Sequence, residues 1–160
     1  MNQHSVTAWD VAATVVDPEI PVLTIEDLGV LRSVVEDGDR VRVELTPTYS
    51  GCPAIDAMRD DVRSALEGAG YRDIDVRMVL APAWTTDWMT PSGKQKLHDY
   101  GITPPNGRAT AGRTALRMAV KCPRCDSLDT VELARFGSTS CKALYECRSC
   151  LEPFDFFKVL

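Results

Sequence analysis

Two cysteine pairs near the C-terminus, Cys122-Pro-Arg-Cys125 and Cys147-Arg-Ser-Cys150, are separated by 21 residues. Thiols paired at this spacing converge into one tetrahedral site when the chain between them folds back as a hairpin. The gap is slightly longer than in most ribbons, so one hairpin loop must be extended. Four thiolates fill the coordination sphere of Zn²⁺, which predicts a structural ion on Cys122, Cys125, Cys147 and Cys150 with no open position for water or substrate. The last third of the chain carries too little apolar material to fold without that ion.

At 160 residues the chain can hold one ordinary domain and a small metal-stapled one. Its 44% apolar and 26% charged residues are those of a soluble globular protein. No apolar run is long enough to cross a bilayer. The opening MNQHSVTAWD has neither a basic nor an apolar region of signal-peptide type. A cytoplasmic location is therefore expected, where paired CxxC motifs hold metal more often than they form disulfides. Residues 1–106 carry 9 basic and 17 acidic side chains, whereas residues 107–160 carry 9 basic and 6 acidic. An acidic body with a weakly basic ribbon disfavours nucleic acid as a partner.

The pattern upstream predicts an α-β-β-α-β order. Residues 6–16 read as a helix capped by Ser5 or Thr7, with Trp9, Ala12, Ala13 and Val16 on one face. Asp17-Pro18-Glu19-Ile20-Pro21 stops it. Residues 30–36 and 40–46 alternate about Asp37-Gly38-Asp39 and read as a hairpin. Residues 53–69 place Ile55, Met58, Val62, Ala65, Leu66 and Ala69 on one helical face, with Pro53 at the start and Gly70 at the stop. Residues 73–80 read as a strand with Ile74, Val76, Met78 and Leu80 facing one way. Thr90-Pro91 begins a short helix that Gly101 ends near Tyr100. Strands are expected over 129–136 and 142–147, and Phe154, Phe156 and Phe157 on a final strand should cover a small core. The fold class is thus α+β, a small α-β-β-α-β domain followed by a C-terminal four-cysteine zinc ribbon. Its divisions are expected at 1–102 for the first domain, 103–112 (TPPNGRATAG) for a linker, and 113–160 for the ribbon.

A second chemical feature is Thr46-Pro-Thr-Tyr-Ser-Gly-Cys52-Pro53. Cys52 falls at the cap position of the 53–69 helix, directly beside Pro53, where unpaired N–H groups and the helix dipole favour thiolate. The plainer alternative is a buried small hydrophobe. Asp17 and Glu19 flank Pro18 in a stiff turn and could bind a hard or borderline metal, hold a partner's basic group, or simply end a helix with solvated charges. Cys141 is the odd thiol, left outside a closed set of four. His4 and His98 lack metal-ligand spacing and read as surface residues, while Trp84 and Trp88 can be core anchors or a contact patch. There is no Gly-rich phosphate loop, no GxSxG elbow and no Glu-x-x-His pair. The chain shows no self-contained catalytic constellation, which points to an accessory role.

Taken in order, DPEIPVLTIEDLGVLRSV, TPTYSGCPA, AWTTDWMTPSGKQKLHDYGITPP and CPRC…FGSTSCKALYECRSCLEPFDFFK resemble, nearly end to end, the PaaD family of phenylacetyl-CoA oxygenase (1,2-epoxidase) components. The first two-thirds resemble the wider family of small iron–sulfur assembly proteins. The resemblance implies an accessory subunit of aerobic phenylacetate degradation that helps assemble or repair an iron–sulfur or di-iron centre. It implies the catalytic and reductase subunits of that oxygenase as partners. Cys52, Asp17 and Glu19 match the maturation motif, implying a transient iron or cluster site, and Cys122, Cys125, Cys147 and Cys150 match the ribbon. The rival expectation is a zinc-ribbon adaptor that holds the oxygenase complex together without handling iron. Which centre is served, and whether copies of the chain associate as a homo-oligomer, stay open at this level.

Overall fold

The computed structural model describes residues 6–106 and 119–160. Contacts divide the chain into two compact units, Met1–Trp84 and Thr85–Leu160. Among the described residues no helix is long and apolar enough to cross a membrane.

The first unit is built on a hairpin and a crossover. Strand β1 (Leu31–Asp37) runs antiparallel to β2 (Arg40–Leu45), with Asp37 opposite Arg40 and Gly38 at φ +62° in the connection. Such a short connection needs left-handed backbone, which glycine adopts without a Cβ clash. Helix α2 (Ala54–Gly68) then carries the chain to β3 (Asp73–Met78), which pairs in parallel with β2. The sheet order is β1-β2-β3. Alternation on β2 buries Val41, Val43 and Leu45, and the i, i+4, i+8 positions Met58, Val62 and Leu66 of α2 are buried too. The helix ends as its sequence predicts. Gly70 turns left-handed at φ +100°, the Tyr71 N–H reaches the Leu66 carbonyl at 3.1 Å, and that of Gly70 reaches Glu67 at 3.0 Å.

The first helix is shorter than its apolar pattern suggests. α1 covers only Ala8–Ala12, with Thr7 as its cap in a reciprocal pair with Asp10. Ser5 lies outside the described residues. Val16 leaves the helical pattern to pair with Thr24 across the turn, so its apolar character serves a bridge rather than a helix face. Trp84 anchors the end of the unit. It is buried, and its Nε1–H donates to the Leu28 carbonyl at 2.9 Å. The strand over 73–80 ends at Met78. Met78 is 37% and Leu80 63% exposed, so the expected apolar face is buried only at Val76 and partly at Ile74.

The second unit opens with a single 3₁₀ turn, Thr86–Trp88, and helix α3 (Pro91–Asp99), capped by the Thr90 hydroxyl on the Gly93 N–H. Strand β4 (Ile102–Thr103) pairs in parallel with β7 (Pro153–Phe157), which pairs with β6 (Lys142–Cys147), which pairs with β5 (Thr130–Ala134). This pairing attaches α3 and β4 to the ribbon side, so contacts divide the chain earlier than composition suggested. Thr103 is a strand residue, and 107–112 of the expected linker lie outside the described residues. The expected strand over 129–136 is confined to 130–134, where its register against β6 shifts. Phe154, Phe156 and Phe157 are buried as expected. A small core joins Val120, Cys122, Cys147, Phe154 and Phe156, with Tyr145 packed against it. Two of those five residues are thiols, so the ribbon's core is in part its metal site.

Candidate functional site

In the second unit, each cysteine pair sits in a tight knuckle. Cys122 and Cys125 belong to the turn before β5, and Cys147 ends β6 with Cys150 in the turn before β7. Backbone N–H groups point at the sulfurs, Arg124 to Cys122 at 3.4 Å and Cys150 to Cys147 at 3.5 Å. The four Sγ atoms lie within 4.8 Å of one another. Cys122 and Cys150 are 3.8 Å apart, and Cys125 and Cys147 3.5 Å apart. A tetrahedron with metal–sulfur bonds of ~2.3 Å has sulfur–sulfur edges of about 3.8 Å. The donor set therefore fits a soft or borderline divalent ion.

Without an ion, the crowded thiols shift one another's acidity in opposite directions. The Cys150 N–H, ahead of the other thiols, holds the Cys147 thiol down to about 6. At Cys125 the Ser127 N–H pulls the thiol down but is outweighed by the neighbouring thiols and by burial, and the group is pushed up to about 12. Crowded thiols release their protons one after another, and a divalent ion would draw all of them off. Cys141 stays outside this set. It is buried, with its sulfur 2.9 Å from the Thr139 hydroxyl. His98 lies beside Asp99, 3.5 Å away, and joins no metal cluster among the described residues. His4 lies outside them.

In the first unit, the Asp17-Pro18-Glu19 turn is held by Asp17 itself. Its buried carboxylate accepts from the Glu19 N–H at 2.6 Å and the Ile20 N–H at 3.1 Å through one oxygen. Asp17 thus fixes the path of Glu19. Cys52 lies at the other side of the unit's sequence, in the turn after β2. The Cys52 N–H reaches back to the Tyr49 carbonyl at 3.3 Å, and Gly51 is left-handed at φ +84°. Pro53, not Cys52, occupies the cap of α2, so Cys52 lies one residue before the cap and two before the first helical residue, Ala54.

Burial works against the thiolate that the helix start favours. Burial pushes the Cys52 thiol above its ordinary value. The Ala54 N–H does favour the anion, as a helix start should, but the Glu19 carboxylate opposes it. The Tyr49 and Thr48 hydroxyls then pull the thiol partly back. The helix terminus is visible in local sequence, whereas the desolvation that outweighs it depends on tertiary packing. Glu19 and Cys52 are nonetheless brought within electrostatic reach, which neither local pattern could establish. The motif around Cys52 carries no sequence signal that assigns a role to Thr48 or Tyr49 beyond their hydroxyls. Their signal is a run of three hydroxyl residues, Thr48, Tyr49 and Ser50, shortly before the cysteine.

Residues 8–77 match the family model described as iron–sulfur cluster assembly protein, and residues 106–158 match that of the PaaD zinc beta ribbon domain. A crystal structure of a DUF59 domain from Bacillus anthracis superposes with a TM-score of 0.52 at 27% identity, covering 56% of this chain and 87% of that one. Fold and site together define an α+β domain of the iron–sulfur-assembly type carrying a four-cysteine zinc ribbon. Over the first half, the chain is 36% identical to an Fe-S protein maturation auxiliary factor of Porphyromonas gingivalis, covering 52% of this chain and 81% of that one. Over 152 residues it is 48% identical to a protein of Escherichia coli K12 provisionally named as the D component of 1,2-phenylacetyl-CoA epoxidase, covering 95% and 91% of the two chains. The chain belongs to this PaaD family of phenylacetyl-CoA epoxidase components.

Proposed function

We propose that this protein is an accessory factor of the phenylacetyl-CoA epoxidase system that helps assemble or repair an iron–sulfur or di-iron centre in the catalytic or reductase subunit. Iron or a cluster is its cargo. Cys52 is the transient ligand, with Glu19 as the second anionic group and Asp17 fixing where Glu19 stands. The ribbon, folded around a structural Zn²⁺ on Cys122, Cys125, Cys147 and Cys150, docks the client. Zinc there supplies stability alone, because four thiolates leave no position for substrate.

The observation that carries this reading is the match of residues 8–77, which hold Asp17, Glu19 and Cys52, to the iron–sulfur cluster assembly protein family; the Glu19 carboxylate also opposes ionisation of the Cys52 thiol. Two groups that resist being anionic together accept a cation between them, since the cation removes the repulsion and draws off the thiol proton. The test is the iron content of the catalytic and reductase subunits isolated from wild-type and Cys52→Ser cells. Client subunits that are present and folded but short of iron in the variant support the reading. Equal iron loading in both would sink it.

A structural adaptor is the second reading, and one observation favours it: Cys52 is only 7% exposed. An adaptor would tolerate Cys52→Ser with normal growth on phenylacetate. Turnover of fully metallated subunits in vitro would then depend on adding the protein itself.

A further inference from the structure

A sheet edge left unpaired presents a row of backbone N–H and C=O groups that another strand can join. Most edges of this chain are blunted. Helix α1 packs beside β1, with the Ala8 N–H donating to the Glu36 carboxylate, and the register of β1 shifts between Leu31 and Ser33. β5 is irregular against β6 between Glu132 and Ala134, and β4 is only two residues long. β3 has no such device. It ends the β1-β2-β3 sheet, runs in unbroken register with β2 from Asp73 to Met78, and holds neither proline nor lysine. Among the described residues no strand pairs with its outer side.

The ladder decides which groups face outward. The N–H groups of Asp73 and Val79 bond to the Asp39 and Leu45 carbonyls, toward β2, at 3.4 and 2.9 Å. Alternation along the strand therefore turns the N–H and C=O groups of Ile74, Val76 and Met78 to the open side. The side chains of these three share the buried face of the sheet, since they pair with Val41, Val43 and Leu45. Asp73, Asp75 and Arg77 lie on the other face, where Arg77 donates to Asp75 at 2.7 Å.

This edge is complementary to itself. A two-fold axis at Val76 sets two copies of β3 antiparallel, with Val76 opposite Val76 and Ile74 opposite Met78. The outward N–H and C=O groups then meet as hydrogen-bonded pairs. Asp75 of each copy falls opposite Arg77 of the other, at the positions where facing side chains come closest. Moving the axis by one residue sets Asp75 on Asp75 or Arg77 on Arg77, which like charge disfavours. Met78, exposed in the single chain, gains an apolar neighbour. A strand from another protein would need an acid and a base spaced to match, whereas a second copy has them by symmetry. We infer that β3 is the contact strand of a two-fold dimer, in which a second copy of this chain extends the sheet and the Asp75–Arg77 pairs fix the register. None of Asp17, Glu19 and Cys52 lies on β3, so iron loading tests the maturation reading separately.

The test uses the full zinc-loaded chain in sedimentation velocity over a concentration series. One strand pair with few apolar contacts is a small interface, so wild type should dimerise with a dissociation constant of about 10–100 µM. Asp75→Arg sets Arg against Arg at both pairs, and Arg77→Asp sets Asp against Asp. Each variant, its fold checked by circular dichroism, should dimerise about tenfold or more weakly. An equimolar mixture of the two should associate like wild type, because every acid then faces a base. In wild type the Ile74, Val76 and Met78 amides should gain hydrogen-exchange protection as concentration rises, while those of Asp75 and Arg77 stay protected throughout. That exchange pattern decides the matter should a variant misfold. Wild type that stays monomeric at about 500 µM would overturn the dimer. Single variants that dimerise like wild type would place the contact elsewhere and overturn it too. Folded variants that stay apart when mixed would overturn the register. If wild type alone stays monomeric but a purified epoxidase component protects the three amides, the edge belongs to that component and not to a second copy.

Discussion

The sulfur atoms of Cys122 and Cys150, 28 residues apart in the chain, stand 3.8 Å apart at the junction of the two knuckles. That closure joins the turn before β5 to the turn before β7, and two of the four ligands, Cys122 and Cys147, sit in the small core with Val120, Phe154 and Phe156. Removing the ion would leave four crowded thiols unbridged, two of them inside the core. A chelator, or Ser at any of Cys122, Cys125, Cys147 or Cys150, should release one metal per chain and melt the β5–β7 sheet, since structural zinc is worth about 10 kcal/mol or more of folding energy. The first unit should keep its circular dichroism and its hydrogen-exchange protection. Should Cys147→Ser retain one tight zinc with native spectra, Cys141 has taken over as a ligand and the assigned set is wrong.

Cys52 gives the first unit a pH dependence of definite sign. Its folded-state value is raised, chiefly by burial, so the native state favours the protonated thiol. The stability this contributes is fully present below the ordinary thiol value of about 8.5 and is lost as pH rises through the higher folded value. The melting temperature of the wild-type first unit should therefore fall at alkaline pH, and Cys52→Ala should remove part of that slope. Tyr71 is raised as well, and its window opens only near the ordinary tyrosine value of about 10. The difference between wild type and variant isolates the cysteine. A parallel pair of curves would show that burial does not govern this thiol.

Trp84 offers a test of the first unit's packing. Its indole N–H satisfies the Leu28 carbonyl from a buried position. Trp84→Phe removes the donor and strands the acceptor, which should cost about 1–3 kcal/mol together with a small packing loss. Denaturant unfolding of the full chain should show that loss in the transition of the first unit alone. A change below about 0.5 kcal/mol, typical of surface substitutions, would mean that the indole lies elsewhere.

Much of this architecture could be read from local pattern, and the reasons are physical. The turn at Asp37-Gly38-Asp39, the helix stop at Gly70 and the cap at Thr90 depend on a few neighbouring residues, so their sequence signals survive into the structure. The two-residue strand β4 has no period to detect, and its pairing with β7 depends on chain arriving from residues 153–157. Met78 and Leu80 keep the alternation of the buried Val76 but lie beyond what covers it, a fact that periodicity does not contain. The same holds at the candidate site. The four ribbon thiols declare themselves by spacing, whereas the effect of Glu19 on Cys52 arises only when two turns from different parts of the first unit meet.

Glu19 separates the cargo site from the packing role most sharply, because the two readings predict different consequences of one substitution. Glu19→Gln removes a like charge from the neighbourhood of the Cys52 sulfur while leaving the turn held by the Asp17 carboxylate on backbone N–H groups. In either reading the thiol value should move down, and alkylation of Cys52 at a fixed pH near 8 should quicken by a few-fold, since the rate follows the thiolate fraction. If Cys52 and Glu19 together hold iron in transit, the same variant should deliver less of it, and the client subunits from Glu19→Gln cells should be iron-poor despite a more reactive cysteine. If Cys52 is packing alone, the alkylation rate changes and iron content does not. Reactivity and iron loading moving in opposite directions is therefore the expected outcome, read by timed alkylation of the purified full chain and metal analysis of the clients. A faster thiol with fully loaded clients would remove Glu19 from the site.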